Sequence, residues 1–294
     1  LGKIKGLYVQ GENPAMSDPD QIHSRKALAK LEHLVVQDIF MTETAWNADV
    51  ILPASAHAEK TGTYTNTNRQ IQIGRAVVEP PNNVRQDWWI IQEIAKRMGL
   101  SWSYKSPKDI FDEMKLVMPS LDNISWERLE KDNHVTYPVK SELIPGEDII
   151  FTDGFPTSNN LAKIVPVNLS KPNDELNSDF PLILSTGRLL EHWHTGTMTR
   201  RAVILNELEP DPMIFMNKVD SNFYNLNLNK PVVIETRRGK VSIKIRHDDD
   251  LLPGMIFLPF CFKEAAANIL TNSDLDPIGK IPELKFSAAR VFQN

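Results

Sequence analysis

Apolar and polar positions along the first fifty residues follow two alternating periods, one typical of strands and one typical of helices. The pattern predicts a strand over 4–10, a helix from Pro19 to Leu31, a strand over 34–40, a short helix over 42–46 and a strand over 49–53. The longer helix is indicated by Ile22, Leu28 and Leu31, which lie on one side with Lys and Arg between them. Strands and helices that alternate at this spacing predict parallel βαβ units with right-handed crossovers.

Further helices are predicted in the middle of the chain, followed by a stretch without a regular pattern. Helices are predicted over 86–98 and 107–117, the first from apolar residues that gather on one side. Residues 120–160 are polar and irregular and contain three prolines, so we place the domain boundary in this stretch. The predicted domains are an α/β Rossmann-like parallel-sheet domain over 1–145 and a mainly-β barrel domain over 146–294.

Short apolar strands separated by turn residues dominate the rest of the chain. They are predicted over 164–169, 182–186, 213–216, 231–236, 240–246, 255–258 and 286–291. Two of them alternate strictly and are joined by Arg237-Arg-Gly-Lys, which is typical of a hairpin. Seven short strands separated by turn residues predict a small closed barrel.

Composition and charge narrow the possible functions. Hydrophobic residues make up 41% and charged residues 24%, the usual range for a globular protein, and no apolar run reaches the ~18 residues that span a bilayer. We therefore expect no membrane partner and, without a visible signal peptide, a cytoplasmic protein. A net charge of -5 argues against a nucleic-acid partner.

The single cysteine and the start of the chain add two expectations. With Cys261 as its single cysteine, the chain cannot form an internal disulfide, and it cannot by itself hold an iron–sulfur cluster, which needs about four thiolates. Its place between two Phe residues is typical of a core thiol. The chain reads directly into a strand from Leu1, with no initiator Met, so we expect a piece of a longer protein.

Polar residues gather where the first two predicted strands end. Gly11–Pro14 follows the first strand, and its backbone N–H groups could face an anion at the start of a helix, with hydrogen bonds added by Asn13 and Ser17. Gln37 and Asp38 end the second strand, where an acid could accept from a ribose hydroxyl or a guanine edge. An ordinary turn and a helix N-cap are the alternatives for these two groups.

A loop rich in Gly, Thr, His and Arg follows the first barrel strand over 186–201. His192 and His194 have a spacing that could bind a metal, but no third ligand is evident. With Arg188 beside them, recognition of an anion or a pterin is favoured over a metal site and over a solvated turn. Asn268 follows another strand end and could hydrogen-bond a ligand, with an ordinary helical Asn as the alternative.

Three segments together resemble the catalytic α subunit of molybdopterin-dependent formate dehydrogenases, within the molybdopterin oxidoreductase family. They are 42–53 with Thr-Glu-Thr-Ala and Ala-Asp-Val-Ile-Leu-Pro, 184–201 with His-Trp-His-Thr-Gly, and 265–285. The resemblance runs from Gly6 to Val291. It implies a Rossmann-like region followed by a double-psi β-barrel that binds molybdopterin dinucleotide.

The resemblance also implies cofactor-binding positions. One nucleotide arm would be held by Asn13, Ser17, Gln37, Asp38, Ile39 and Asp87. Pterin and phosphate would be held by Arg188, Leu189, His192, His194, Asn268, Leu284 and Lys285. It implies no catalytic residue and no metal ligand here, since the family's Cys or selenocysteine ligand and its neighbouring His, the substrate-orienting Arg and the cluster cysteines are expected upstream.

The implied cofactor of the intact enzyme is a pair of molybdopterin guanine dinucleotides around molybdenum or tungsten, which the fragment alone is expected to lack. The intact enzyme would oxidise formate to CO2 and pass electrons to Fe–S clusters. Its expected partners are the N-terminal half of the same subunit, Fe–S or flavin electron-transfer subunits, and formate. The fragment is expected to be inactive alone. Two alternatives stay open: a nitrate reductase-like oxidoreductase, and a non-catalytic module that binds the pterin nucleotide.

Overall fold

A computed structural model describes residues 2–293 of the chain and divides it into two compact units. The first unit joins the residues up to Ile51 with those from Leu169 onward, and the second is Leu52–Asn168. The predicted domains follow the order of the chain, whereas these units do not, so the boundaries 1–145 and 146–294 stay a prediction. Within residues 2–293, no helix is long and apolar enough to cross a membrane.

The N-terminal part of the first unit is built around a parallel sheet. Its elements are β1 (Gly6–Gln10), α1 (Pro14–Ser17), α2 (Gln21–Leu28), β2 (His33–Asp38), a 3-10 turn (Ala45–Asn47) and the start of β3 (Val50–Pro53), whose last two residues belong to the second unit. The strands lie in the order β1–β2–β3, and β1 pairs with β2 in parallel. Val9, Leu34 and Val36 are buried and form the apolar core on one face of this sheet. The predicted helix start at Pro19 is wrong, because Asp20 adopts a left-handed φ of 45° and the helix begins after it.

The second unit contains three helices and an antiparallel sheet. Its elements are β4 (Gly62–Thr65), β5 (Gln70–Gly74), α3 (Asp87–Arg97), α4 (Pro107–Val117), α5 (Trp126–Asp132) and β6 (His134–Thr136), with the strands in the order β4–β5–β6. Its core includes Ile71, Phe111, Trp126 and Leu129. The sequence missed α5, which lies in the stretch predicted to be irregular. This helix begins after Ser125, whose hydroxyl accepts from the backbone N–H of Arg128 at 3.1 Å.

The C-terminal part of the first unit is a closed barrel. Its elements are β7 (Leu182–Gly187), α6 (Val203–Leu208), β8 (Met213–Met216), α7 (Lys218–Phe223), β9 (Val232–Thr236), β10 (Lys240–His247), β11 (Met255–Pro259) and β12 (Ser287–Phe292). The strands close in the order β10–β8–β11–β7–β12–β9, with both parallel and antiparallel pairs. Inward-facing apolar side chains alternate along them, as Val241, Ile243 and Ile245 do in β10.

The barrel has six strands, whereas the sequence predicted seven. The missing one is the apolar run over 164–169, which forms no strand, and there Ile164 is 89% exposed and Leu169 is 99% exposed. Pro166 within this run has no backbone N–H to donate to a neighbouring strand. Apolar composition alone therefore did not make a strand, because within residues 2–293 this run pairs with no other strand.

Candidate functional site

The loop after β7 places cationic and aromatic side chains side by side. The guanidinium carbon of Arg188 lies 4.8 Å from the ring centroid of Trp193, and Arg188 Nη2 lies 2.8 Å from His194 Nε2. The ring of His194 lies 6.2 Å from that of Phe260, and Lys285 Nζ lies 5.8 Å from the same Phe260 ring. We call these five residues the barrel wall. Two cations beside aromatic faces suit phosphate groups and planar rings.

The bond to Arg188 fixes the protonation of His194. A guanidinium has donors and no acceptor, so His194 Nε2 must accept and the ring is neutral with its proton on Nδ1. Burial, followed by the positive charge of Arg188, lowers the pKa of His194 below its ordinary 6.5, while the carboxylate of Glu12 acts in the opposite direction. Any ligand that draws Arg188 away would therefore leave His194 easier to protonate.

Replacing Arg188 by Gln is expected to raise the pKa of His194 towards 6.5 without reaching it, because burial, the larger cause, remains. The folded-state pKa lies below the unfolded one, so the stability gained from neutral His194 is present above about pH 6.5 and is lost as pH falls through the folded pKa. An NMR titration of the ring measures the shift. Arg201→Gln, in the same loop but stacked on Phe40, is the control and should leave the pKa unchanged. No change in Arg188→Gln would contradict the assigned bond.

His192 lies inside the protein and not on the barrel wall. It is 1% exposed, its ring packs edge-on against Phe262, and its Nε2 lies 2.9 Å from the backbone oxygen of Glu209. Because that oxygen can only accept, Nε2 carries a proton, and in the neutral ring Nδ1 is then an acceptor. Nδ1 is buried with no hydrogen-bond partner among residues 2–293. A buried acceptor without a partner costs about 1–3 kcal/mol, so this atom favours a bound water or a ligand donor.

Asn13 and Asn268 are both buried, and their side chains bind other parts of the first unit. The amide nitrogen of Asn13 donates to Glu43 Oε2 at 2.9 Å and to Thr197 Oγ1 at 3.2 Å. That of Asn268 donates to the backbone oxygens of Met16 at 3.0 Å and Ser17 at 2.8 Å. The structure thus connects both residues to α1 or its neighbourhood, where the sequence predicted contacts to a ligand.

The remaining predicted nucleotide contacts lie in two places. Asp38 ends β2 and Asn13 follows β1, its parallel neighbour, so both lie at the same carboxyl edge of the sheet. Asp38 Oδ1 accepts from the backbone N–H of Ile39 at 2.7 Å, and the buried Gln37 accepts from the hydroxyl of Tyr8. Asp87 belongs to the second unit, where it begins α3 and pairs with Lys60.

Two of the remaining barrel positions, Leu284 and Lys285, bind Thr186 in β7. The backbone oxygen of Leu284 accepts from Thr186 Oγ1 at 2.7 Å, and the ammonium of Lys285 donates to the backbone oxygen of Thr186. Leu189 is half-buried next to Arg188. Two segments far apart in the chain are thereby joined at the end of β7, which is why Lys285 reaches the barrel wall.

Sequence reasoning missed several residues around the loop after β7. A cleft of about 280 Å³ is lined by Met16, Glu43, Thr195, Gly196, Thr197, Arg200, Arg201, Asn206, Cys261, Lys263 and Glu264. The Thr-Gly-Thr run was a usable signal, since Gly196 has a φ of +72° and a Cβ there would meet the backbone oxygen of Cys261. Burial raises the pKa of the Cys261 thiol to about 12, which agrees with a core thiol and not a nucleophile. Within residues 2–293, no group of three or more His, Cys, Asp or Glu is placed to hold a metal ion.

Comparison with known proteins identifies two family matches. Residues 1–97 match the family model for molybdopterin oxidoreductase, and residues 182–288 match that for the molydopterin dinucleotide binding domain. A solved structure, acetylene hydratase from Pelobacter acetylenicus, has a TM-score of 0.76 at 21% identity and covers 99% of this chain and 44% of its own. At that identity the likeness concerns the fold alone.

Curated relatives align over nearly the whole chain. The F420-dependent formate dehydrogenase subunit alpha of Methanocaldococcus jannaschii is 43% identical over 98% of this chain and 43% of its own length. Formate dehydrogenase H of Escherichia coli is 32% identical over 99% of this chain and 41% of its own length. This chain therefore spans less than half the length of either relative. With both family matches and relatives of this similarity, the chain belongs to the molybdopterin oxidoreductase family and carries its dinucleotide-binding domain.

Proposed function

We propose that this chain is the cofactor-holding part of a formate dehydrogenase catalytic subunit and binds a molybdopterin guanine dinucleotide. The observation that carries the proposal is the barrel wall, where Arg188 lies over Trp193 beside His194 and Lys285 approaches Phe260. The names of the aligned formate dehydrogenase subunits support the substrate class. The proposal includes a Rossmann-like parallel sheet and a double-psi form of the barrel.

The residues present fit such a cofactor. A pterin dinucleotide offers phosphate oxygens, flat rings and ring N–H donors. Arg188 and Lys285 supply positive charge for the phosphates, while Trp193 and Phe260 supply faces for the rings. The buried, unpartnered Nδ1 of His192 supplies an acceptor for a ring donor or for a water that bridges to it.

The residues of this chain would bind and orient the cofactor, which, when bound with molybdenum or tungsten, supplies two-electron redox chemistry. Arg188 and Lys285 would hold phosphate oxygens. Ser17 and Asp38, at the carboxyl edge of the β1–β2 sheet, would face the nucleotide end.

The activity of the longer protein is part of the proposal. It would oxidise formate to CO2, with electrons passed to Fe–S or flavin subunits, and the N-terminal half of the subunit would complete the site. The formate dehydrogenase relatives, of which this chain covers 43% and 41%, motivate this assignment.

The test is a measurement of pterin content and formate oxidation in the full-length natural polypeptide. The double variant Arg188→Ala, Lys285→Ala should lower pterin content at least about tenfold, because it removes two charge-assisted contacts. Pterin is released by acid oxidation and measured by fluorescence, and formate oxidation is followed with a dye acceptor. Lys240→Ala, an exposed cation of β10, is the matched control.

Two results would overturn different parts of the proposal. Full pterin content in the double variant would remove the barrel wall as the binding site. A pterin-loaded wild-type protein that reduces no dye with formate would remove formate as the substrate and keep the cofactor assignment.

A further inference from the structure

We infer that the apolar run over 164–169 is a docking segment. Its partner is an apolar surface with an acidic rim, on the part of the longer catalytic subunit that lies outside residues 1–294. The inference rests on the proposed function, because it requires that this chain belongs to such a subunit. It goes beyond the cofactor site, since the run contributes no residue to the barrel wall.

The run exposes consecutive apolar side chains. In addition to Ile164 and Leu169, Val165 is 62% exposed and Val167 is 81% exposed. Within residues 2–293, no residue of the run forms a hydrogen bond or an ion pair with another part of the chain. Single exposed apolar residues are common on protein surfaces, whereas a contiguous group of them marks a surface that something else covers.

An ordinary connector between two compact units would have a different composition. Such connectors are polar or rich in Gly and Ser, because an apolar connector exposes surface that water disfavours. The run has no Gly, a single polar residue in Asn168, and four aliphatic residues. Pro166 also restricts the backbone of the undocked segment, so less conformational freedom is lost when the segment docks. Both features favour a segment that binds over one that only connects.

The charges beside the run indicate the rim of the partner surface. Lys163 and Lys171 flank the run, and no Asp or Glu occurs from 154 to 173, although the whole chain has a net charge of -5. Neither lysine forms an ion pair in the part of the chain that the structure describes. An apolar segment with a cation near each end is complementary to an apolar surface with acidic groups on its rim.

The balance of free energies favours a partner surface on the same polypeptide. Docking gains the burial of four aliphatic side chains and loses the conformational freedom of six residues, and these two quantities are similar in size. A separate protein would also lose translational and rotational freedom on binding, whereas a surface on the same chain has a high effective concentration. The chain covers 43% and 41% of the two formate dehydrogenase relatives, so most of either polypeptide could supply that surface.

The first measurement is limited trypsin cleavage after Lys163 in the full-length natural polypeptide, purified with its other subunits. Docking predicts that Val167→Asp, which places a charge in the apolar contact, speeds this cleavage at least about tenfold, because cleavage follows the population of the undocked segment. Mass spectrometry of the peptide that ends at Lys163 gives the rate.

Asn159→Asp is the matched control for Val167→Asp. It adds the same charge at the same distance in sequence from Lys163, but outside the run. It also keeps the side-chain oxygen that accepts from the backbone N–H of Leu161 at 3.1 Å. Its cleavage rate should equal that of the wild type.

The second measurement identifies the partner surface and does not depend on Val167→Asp folding. A benzophenone amino acid in place of Val167 crosslinks, on irradiation of the full-length polypeptide, to the surface that covers the run. Docking predicts crosslinked peptides from the same polypeptide outside residues 1–294. Mixing light and heavy isotope-labelled polypeptides distinguishes a crosslink within one copy from a crosslink between two copies.

Equal cleavage rates in the wild type and in Val167→Asp would overturn the inference. So would crosslinks to a second copy, to a separate subunit, or only to residues within 1–294. A full-length polypeptide that holds no pterin or oxidises no formate contradicts the proposed function alone, and cleavage and crosslinking still decide whether the run docks.

Discussion

Leu184→Ala is expected to lower the free energy of unfolding by about 2–5 kcal/mol. Leu184 is 0% exposed in β7, between Ile256 of β11 and Ser287 of β12. Its side chain belongs to the apolar core of the closed barrel, which has little freedom to collapse around a cavity. The loss therefore includes both the lost burial of the removed methyl groups and the cavity they leave. Urea unfolding followed by circular dichroism measures the change.

Leu252→Ala is the matched control for Leu184→Ala, since Leu252 is 69% exposed in the turn before β11. This change should stay within about 0.5 kcal/mol. Equal losses in the two variants would contradict the assignment of the barrel interior as the core of the first unit.

Asp174→Ala is expected to destabilise the chain by about 2–3 kcal/mol. One carboxylate oxygen of Asp174 accepts from the backbone N–H of Ala288 at 2.8 Å, and the other pairs with Arg237. The substitution leaves a buried amide of β12 without an acceptor and removes the partner of Arg237. Because Arg237 is partly exposed and also lies 4.9 Å from the ring of Phe180, the ion pair accounts for the smaller share.

Two controls separate the amide from the charge at Asp174. Asp174→Asn keeps an oxygen for the backbone of Ala288 and should cost less than Asp174→Ala. Glu32→Ala removes an exposed ion pair with Lys5 and should change the free energy of unfolding by no more than about 1 kcal/mol. If Asp174→Asn and Asp174→Ala cost the same, the lost charge and not the buried amide of Ala288 accounts for the destabilisation.

The periodicity of apolar residues was sufficient to predict a helix or strand where the apolar face of that element is continuous. It predicted α3 over 86–98, and the helix spans Asp87–Arg97. It predicted a strand over 182–186, and β7 spans Leu182–Gly187. The alternation that buries a helix face or a barrel interior is a local property, so a window of ten residues contains the information.

Periodicity did not predict the elements correctly where burial depends on a partner surface from another part of the chain. The run over 164–169 is as apolar as a strand but pairs with no strand within the described residues 2–293, whereas Trp126 and Leu129 in a polar stretch bury one side of α5. Only the folded chain decides whether a partner surface exists, because such surfaces come from residues far away in sequence.

The sequence by itself determined the family and the residue types near the site, because three segments in succession, over 42–53, 184–201 and 265–285, resemble that family. Tertiary structure decided the partners. Arg188 faces His194 and Trp193, and the amides of Asn13 and Asn268 bind atoms about 30 to 250 positions away. Each polar group can make only a few hydrogen bonds, and the fold alone decides which neighbours take them.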